Sequence, residues 1–177
     1  MCSDHALLLS IRPSFVEAIF AGTKIVELRR VKPRLKAGDL VVIYASGLTK
    51  GIVGAFEVAG VTVATPKHIW RKHNGGSGLK RDEFDRYFEG VATGYAIQIG
   101  KLWKHPIPVL LETLRKRRTG FRPPQGYHYW QREDLLQVGG DGLPSRVKGR
   151  GGIEREGRSS LNARRPSRKL PASRETS

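Results

Sequence analysis

Four residues near the start of the chain have side chains that suit contacts with a nucleic acid. Lys24 is followed closely by Glu27, Arg29 and Arg30. An arginine presents a planar fork of donors to a phosphate or a base edge, and a lysine presents a point charge to a phosphate. Glu27 can accept a hydrogen bond from a base amino group, or it can pair with Arg29 on a solvated face, where an ion pair contributes little. The pattern therefore predicts either a ligand site or a surface ion pair.

The same residues are the catalytic candidates if the protein is an enzyme. Lys24 acts as a nucleophile or a base only after it loses its proton near neutral pH. Burial or a neighbouring cation such as Arg12 lowers a lysine pKa, whereas a close Glu27 raises it. Because these effects oppose each other, we rank ligand binding above catalysis and keep Lys24 and Glu27 as the catalytic pair in the second case.

A second group of candidate ligand-binding residues combines aromatic rings with hydroxyl, amide and imidazole groups. Tyr44 and Ser46 follow a buried strand, so we expect them at the mouth of a cleft, where a ring stacks on a base and a hydroxyl donates or accepts. Tyr44 is explained equally well as a core residue. Near the end of the folded region, Gln125, Tyr127 and His128 are further candidates, either as base contacts or as a plug for the interior.

Short strands and a few short helices must position these residues. Strands are predicted at 6–11, 25–30, 40–45, 52–63, 94–102 and 127–130. Ser14 and Glu17 have the spacing of a capping box, and Thr65 before Pro66 predicts another helix start. Frequent glycine and the lack of a regular strand–helix–strand rhythm favour an α+β, mostly β fold, a small and mainly antiparallel barrel.

The charge balance points to a polyanionic partner. The 177 residues include 32 Lys or Arg against 16 Asp or Glu, a net charge of +16. Nucleic acid is the first expectation for such a surface. Cys2 is the single cysteine, so no disulfide and no paired-cysteine metal site forms within the chain, and the five histidines lack metal-ligand spacing. We expect no metal, no cofactor and no membrane segment, and we expect a cytoplasmic protein.

The composition changes near Val138 and predicts two parts. Residues 5–137 carry the apolar runs of one domain, whereas 138–177 have no aromatic residue and are dominated by Gly, Ser, Pro and Arg. Such a segment buries too little surface to offset its ordering entropy, so a disordered basic tail is predicted. The tail serves either as a sequence-independent arm for phosphates or as an inert linker.

Three segments together resemble the ASCH domain of the PUA-like superfamily, and in particular a subgroup described as predicted transcriptional regulators. They are 8–30, which holds the Gly-x-Lys-x-x-Glu-x-Arg signature at Gly22 to Arg29, then 38–58 and 84–125. The resemblance implies a PUA-like barrel with a cleft beside the signature strand, and RNA binding. One enzymatic branch of the family removes acyl groups from modified cytidine nucleosides with a lysine, a threonine three residues on and a distant glutamate. Lys24 matches the lysine, but Glu27 stands at the threonine position.

Three functional hypotheses follow. The first is a module that binds RNA or a nucleotide-like ligand in a basic cleft, with a regulatory role. The second is a small hydrolase that acts on modified nucleosides or on RNA and is centred on Lys24 and Glu27. The third is a regulatory protein-interaction domain whose basic tail docks acidic partners.

Overall fold

Six strands form one mixed sheet in the computed structural model, which describes residues 4–144. The strands are β1 (His5–Ile11), β2 (Val26–Arg29), β3 (Leu40–Ala45), β4 (Gly51–Ala64), β5 (Gly94–Leu110) and β6 (Tyr127–Gln131). Four short helices lie between strands: α1 (Pro13–Phe20), α2 (Pro66–His73), α3 (Arg81–Tyr87) and α4 (Leu111–Arg117). A fifth, α5 (Arg132–Gly139), follows β6, and a 3-10 turn lies at Asn74–Gly76. The strand order across the sheet is β2-β5-β4-β3-β1-β6.

The central strands are buried on both faces, which explains their unbroken apolar sequences. Along β1, Ala6 and Leu8 face one core cluster, whereas Leu7 and Leu9 face another. All six residues of β3 are buried. Strands covered on both sides read as continuous hydrophobic runs rather than as an alternation. A third, smaller cluster packs α2 and α3 against β2 and β5.

The predicted fold class, α+β with strands dominant and a few short helices, is confirmed, but the sheet differs from the expected barrel in two respects. β1 pairs with β3 in parallel, from Ala6 opposite Leu40 to Ile11 opposite Ala45. The sheet also stays open, with β2 at one edge and β6 at the other. The parallel pair is possible because α1 and β2 lie between β1 and β3 in the chain and supply the long crossover that parallel strands require.

The helix after β1 begins two residues earlier than the capping-box pattern indicates. α1 starts at Pro13 with Arg12 as its N-cap, and no side chain caps it, so the predicted Ser14–Glu17 box is wrong. Proline at the first helical position already has the required φ and has no amide hydrogen to satisfy. The prediction at Thr65 and Pro66 is confirmed, because the Thr65 side chain accepts from the His68 amide. Within residues 4–144, no helix is long and apolar enough to cross a membrane.

One close approach between strands requires glycine. Gly54 lies at an irregularity in the β4–β5 ladder. A Cβ at this position would clash with the carbonyl oxygen of Trp103 and would lie 2.8 Å from the ring of Phe20. α1 can therefore pack closely over the sheet only because this position has no side chain.

The folded part of the chain continues past the predicted boundary at residue 137. α5 ends at Gly139, and Val138 and Leu143 are both buried in the first core cluster. The run from 138 onward has few apolar residues, yet two of them reach the core. The rest of the predicted tail, 145–177, lies outside the described residues.

Candidate functional site

Lys24 is buried at the base of a cleft beside β2. Only 3 % of the residue is exposed. Its Nζ donates to the carbonyl oxygen of Ser77 at 2.6 Å and lies 3.3 Å from Oε2 of Glu27. The same ammonium lies 4.8 Å from the centre of the Phe15 ring, which adds a cation–π contact. The first turn of α1, the start of β2 and the turn after α2 together hold this amine in one place.

Glu27 bridges Lys24 to Arg29. Its Oε1 accepts from Nη2 of Arg29 at 2.7 Å, and the two side chains are only 10 % and 16 % exposed. The ion pair that the sequence offered as an alternative therefore exists, but it lies in the wall of a cleft rather than on a solvated face. Nε of Arg29 is buried and has no hydrogen-bond partner among the described residues. The network thus retains one unused donor.

Burial is the main cause of the shift in the Lys24 pKa. Desolvation lowers the pKa of Lys24 from its ordinary value of 10.5, and Arg29 lowers it further. Glu27 raises it through its charge and hydrogen bond, as expected from sequence, but does not reverse the effect of burial. The amine is therefore easier to deprotonate than an exposed lysine.

The cleft around Lys24 has a volume of about 650 Å³ and more cationic than acidic side chains. The cations are Arg12, Lys24, Arg29, Arg30 and Arg86, and the carboxylates are Glu27 and Glu83. Tyr87, on α3, also lines the cleft, and its hydroxyl donates to the Leu28 carbonyl. Burial raises the pKa of Tyr87, so its ring and hydroxyl remain neutral at physiological pH. We call this space cleft one.

A second cleft meets cleft one at the end of β1. It has a volume of about 480 Å³, and we call it cleft two. Both clefts are lined by Ser10 and Arg12. Three further predicted residues line cleft two: Tyr44, Ser46 and Gln125. Cleft two therefore brings Arg12 together with residues that are distant from it in the sequence.

Tyr44 belongs to the core and also lines a cleft. It is 2 % exposed and packs in the first core cluster, yet it borders cleft two. Burial raises its pKa, an effect that Arg115 partly opposes. Ser46 follows it, and its hydroxyl donates to the Ile11 carbonyl at 3.1 Å, which fixes the turn against β1. Tyr44 is therefore a core residue that also lines a cleft, and its contact with a base stays a prediction.

Lys50 also lines cleft two, although the sequence patterns did not predict it as a site residue. It has a φ of 42°, a left-handed conformation that is rare for a residue with a side chain. Its carbonyl accepts from the Leu111 amide at 2.8 Å. Lys50 ends the turn that begins at Ser46, immediately before β4. The sequence pattern that could have identified Lys50 as a site residue is a cation at the end of a turn, directly before a strand.

The last two predicted residues lie apart from the joined clefts. Tyr127 is partly buried against the second core cluster, in edge contact with Tyr129, and lines none of the clefts described here. His128 is exposed and borders a third cleft with Trp130. Tyr127 is thus placed as a packing residue, and His128 belongs to a different surface.

Chemically, the joined clefts offer fixed cations, hydrogen-bond donors and aromatic edges. Cations suit phosphate oxygens, and the Glu27 carboxylate can accept from an amino group. Residues 4–144 contain no group of three or more His, Cys, Asp or Glu placed to hold a metal ion.

Comparison with known proteins gives related sequences of two kinds. The chain is 27 % identical over 132 residues to the ASCH domain-containing ribonuclease of Zymomonas mobilis, covering 74 % of this chain and 88 % of that protein. It is also 29 % identical over 89 residues to the large ribosomal subunit protein uL22 of Ureaplasma parvum. That match spans 27 % of the ribosomal protein.

Solved structures show the same fold. The ASCH protein of Zymomonas mobilis superposes with a TM-score of 0.71 at 24 % identity, over 77 % of this chain and 94 % of that one. A tyrosine-to-phenylalanine variant of it gives 0.69 at 25 % identity, over 73 % and 93 %. The open sheet with short helices is therefore a PUA-like ASCH fold. The ASCH domain profile itself matches residues 9–102, more than half of the sequence, and the chain belongs to the ASCH domain family.

Proposed function

We propose that the chain binds RNA along the two clefts that meet at Ser10 and Arg12. The observation that supports the proposal is the shared lining at Ser10 and Arg12, with the cations of cleft one on one side of it and Lys50 of cleft two on the other. A basic groove attracts a phosphate backbone and gives affinity that depends on salt. The relative from Zymomonas mobilis, named a ribonuclease, supports RNA as the polyanion.

In this proposal the two clefts contact different parts of the ligand. Arg12 and Lys50 are exposed cations and contact phosphates. In cleft one, Glu27 accepts from a base amino group, and the guanidinium of Arg29, which lines the same cleft, donates to a base edge. Phosphate contacts supply most of the affinity, and contacts to base edges supply the preference among bases.

The buried charges of cleft one also support a ligand role. Burying Lys24, Glu27 and Arg29 together costs several kcal/mol per ion in desolvation, and apolar residues of similar size are often at least as stable. Perturbed, buried charges lining a cleft are typical of functional sites. The network is therefore better explained by a bound partner than by stability.

The test measures binding of a labelled RNA pool to the full chain across a salt series. We expect log K to fall linearly with log salt, and Arg12→Ala/Lys50→Ala to make that slope shallower by about one to two. Both side chains are exposed, and neither caps a helix through its side chain, so the variant should fold normally. Lys67→Ala/Arg71→Ala on α2 removes the same charges outside the clefts and should leave binding nearly unchanged. Equal binding by the wild type and the cleft variant would contradict the proposal.

Cleavage of RNA is a second candidate, favoured by the name of the relative together with Tyr44 in cleft two. In such a step the ribose 2′-oxygen attacks the adjacent phosphorus and gives its proton to water, while the bond to the 5′-oxygen breaks. Tyr44 keeps its proton because burial raises its pKa, so it can donate to the leaving 5′-oxygen. Arg12 and Lys50 stabilise the charge on phosphorus. The products are a 2′,3′-cyclic phosphate and a 5′-hydroxyl.

Product analysis separates cleavage from binding. Tyr44→Phe removes only the hydroxyl, so it should abolish cleavage and keep RNA affinity. If wild-type protein leaves the whole labelled pool intact while binding it, the catalytic candidate fails and the binding proposal stands.

Hydrolysis of an acylated nucleoside is the remaining enzymatic alternative, and the lowered pKa of Lys24 favours it. The departure at Glu27 from the pattern of the amidohydrolase branch counts against it. Turnover of N-acylcytidine that disappears in Lys24→Met would establish this activity. No turnover by the wild type would exclude it.

A further inference from the structure

We infer that the third cleft, around Trp130, is a stacking subsite for the same RNA and that the ligand is an unpaired strand. The inference rests on the proposed RNA binding and names the class of RNA. The third cleft has a volume of about 380 Å³ and lies between the loop after α4 and the strand β6. It shares no lining residue with cleft one or cleft two.

The third cleft has a fixed but accessible guanidinium plane. The Arg118 guanidinium lies 4.7 Å from the centre of the Trp130 ring. Nη1 of Arg118 also lies 3.3 Å from Oδ2 of Asp134, and both side chains remain nearly half exposed. A guanidinium held between an indole and a carboxylate presents its outer face to solvent. Bases stack on arginine planes as well as on aromatic rings.

The rest of the surface supplies a second ring and a second cation. His128 lies two residues before Trp130 on β6, so both side chains are on the same face of the strand. His128 and Arg122 are both exposed. Phe121 is buried behind the Trp130 ring, with the ring centres 5.7 Å apart, and fixes its position. The surface thus combines a rigid stacking platform with a cation suited to a phosphate.

The loop after α4 connects this surface to the joined clefts. Arg122 lines the third cleft, whereas Pro123, Pro124 and Gln125, which follow it directly, line cleft two. Three residues span at most about 10 Å when fully extended. A strand bound in cleft two therefore needs to continue only a short distance to reach Arg122 and His128.

This surface distinguishes unpaired RNA from duplex RNA. Stacking on Arg118 or on His128 requires base faces that are free, and in a duplex these faces are covered by neighbouring base pairs. Single strands that combine phosphate contacts with stacking usually engage proteins over several nucleotides. The structure therefore assigns a single-stranded RNA segment long enough to extend from cleft two to Trp130.

Length-dependent binding tests this assignment. Full-length protein is titrated with labelled single strands of about three and about ten nucleotides and with a duplex of the longer sequence. We expect Arg122→Ala/His128→Ala to weaken binding of the longer strand about tenfold and to leave the short strand unaffected. The matched control is His68→Ala/Arg71→Ala, which removes one exposed histidine and one exposed arginine from α2 and should bind both strands as the wild type does.

The outcomes separate this inference from the proposed function. If the wild type binds neither strand, RNA binding itself fails. If it binds the longer strand and Arg122→Ala/His128→Ala binds it equally well, the stacking subsite is overturned while RNA binding stands. Tighter binding of the duplex than of the longer single strand would overturn the assignment of an unpaired ligand. Thermal unfolding of each variant verifies that the exposed substitutions leave the fold intact.

Discussion

The buried network of Lys24, Glu27 and Arg29 predicts an asymmetric response to substitution. Glu27 is the shared partner, 3.3 Å from the Lys24 amine and 2.7 Å from the Arg29 guanidinium. Glu27→Gln leaves two buried cations facing a neutral amide. Lys24→Met leaves the Glu27–Arg29 pair intact and removes a donor from the Ser77 carbonyl. Glu27→Gln should therefore destabilise the protein more than Lys24→Met.

The magnitudes follow from what each substitution leaves unpaired. Removing one partner of a buried ion pair typically costs about 3–5 kcal/mol, because the remaining charge is uncompensated. We expect Glu27→Gln to lower the free energy of unfolding by about 3 kcal/mol. This value is at the lower end of the range because the glutamine oxygen can still accept from Arg29. An unsatisfied buried carbonyl costs about 1–3 kcal/mol, and the methionine retains most of the packing, so we expect about 1–2 kcal/mol for Lys24→Met. At about 2–4 °C per kcal/mol, Glu27→Gln should lower Tm by roughly 6–12 °C.

Urea unfolding at neutral pH measures both substitutions and their combination. The double variant should lose less stability than the sum of the single variants, because Lys24→Met removes one of the charges that Glu27→Gln leaves unpaired. Unchanged m values would show that the unfolded state is comparable in each case. A larger loss for Lys24→Met than for Glu27→Gln, or strict additivity, would contradict the network described here.

Three further predictions concern other parts of the molecule. Gly54→Ala should cost several kcal/mol, because the new methyl group clashes with the Trp103 carbonyl and the Phe20 ring, and thermal unfolding checks it. Burial first, and then Lys72 and His68, lower the pKa of His73, whose Nε2 lies 3.0 Å from the Thr62 hydroxyl. The stability that His73 contributes is therefore fully present above the unfolded-state pKa of about 6.5 and is lost as pH falls through the lower folded-state pKa. In His73→Gln, stability should therefore fall less than in the wild type as pH decreases below about 6.5. A chain truncated after residue 144 loses ten Lys or Arg. If the clefts bind RNA, the truncated protein should still bind it, with a shallower dependence of affinity on salt. Complete loss of RNA binding would instead favour residues 145–177 as the element that docks the RNA.

Local sequence patterns were sufficient to predict the Lys24 cluster. Residues at positions 27 and 29 of a strand point to the same side, so the Glu27–Arg29 contact follows directly from their spacing. The apolar runs of β1 and β3 likewise identified both strands. These features depend on neighbours within a few residues, and such neighbours are visible in a sequence.

The remaining features depend on contacts between distant segments. The Ser77 carbonyl that binds Lys24 is 53 residues away in the chain, and nothing in either local pattern links them. The burial that lowers the Lys24 pKa comes from the same tertiary packing. The parallel pairing of β1 with β3 was also missed, because β2 lies between them in sequence but pairs with β5 at the far edge of the sheet. The junction of the clefts follows from that pairing.

The position of β1 between β3 and β6 determines when the groove can form during synthesis. Of the six strands, β1 leaves the ribosome first, but its pairing with β6 joins His5 to Gln131, at opposite ends of the described chain. Until β6 is made, one edge of an almost wholly apolar strand has no partner, and such edges favour aggregation. Pairings between such distant segments also slow folding. Ser10 and Arg12 lie at the end of this strand, so the groove is completed only after nearly the whole domain has been translated.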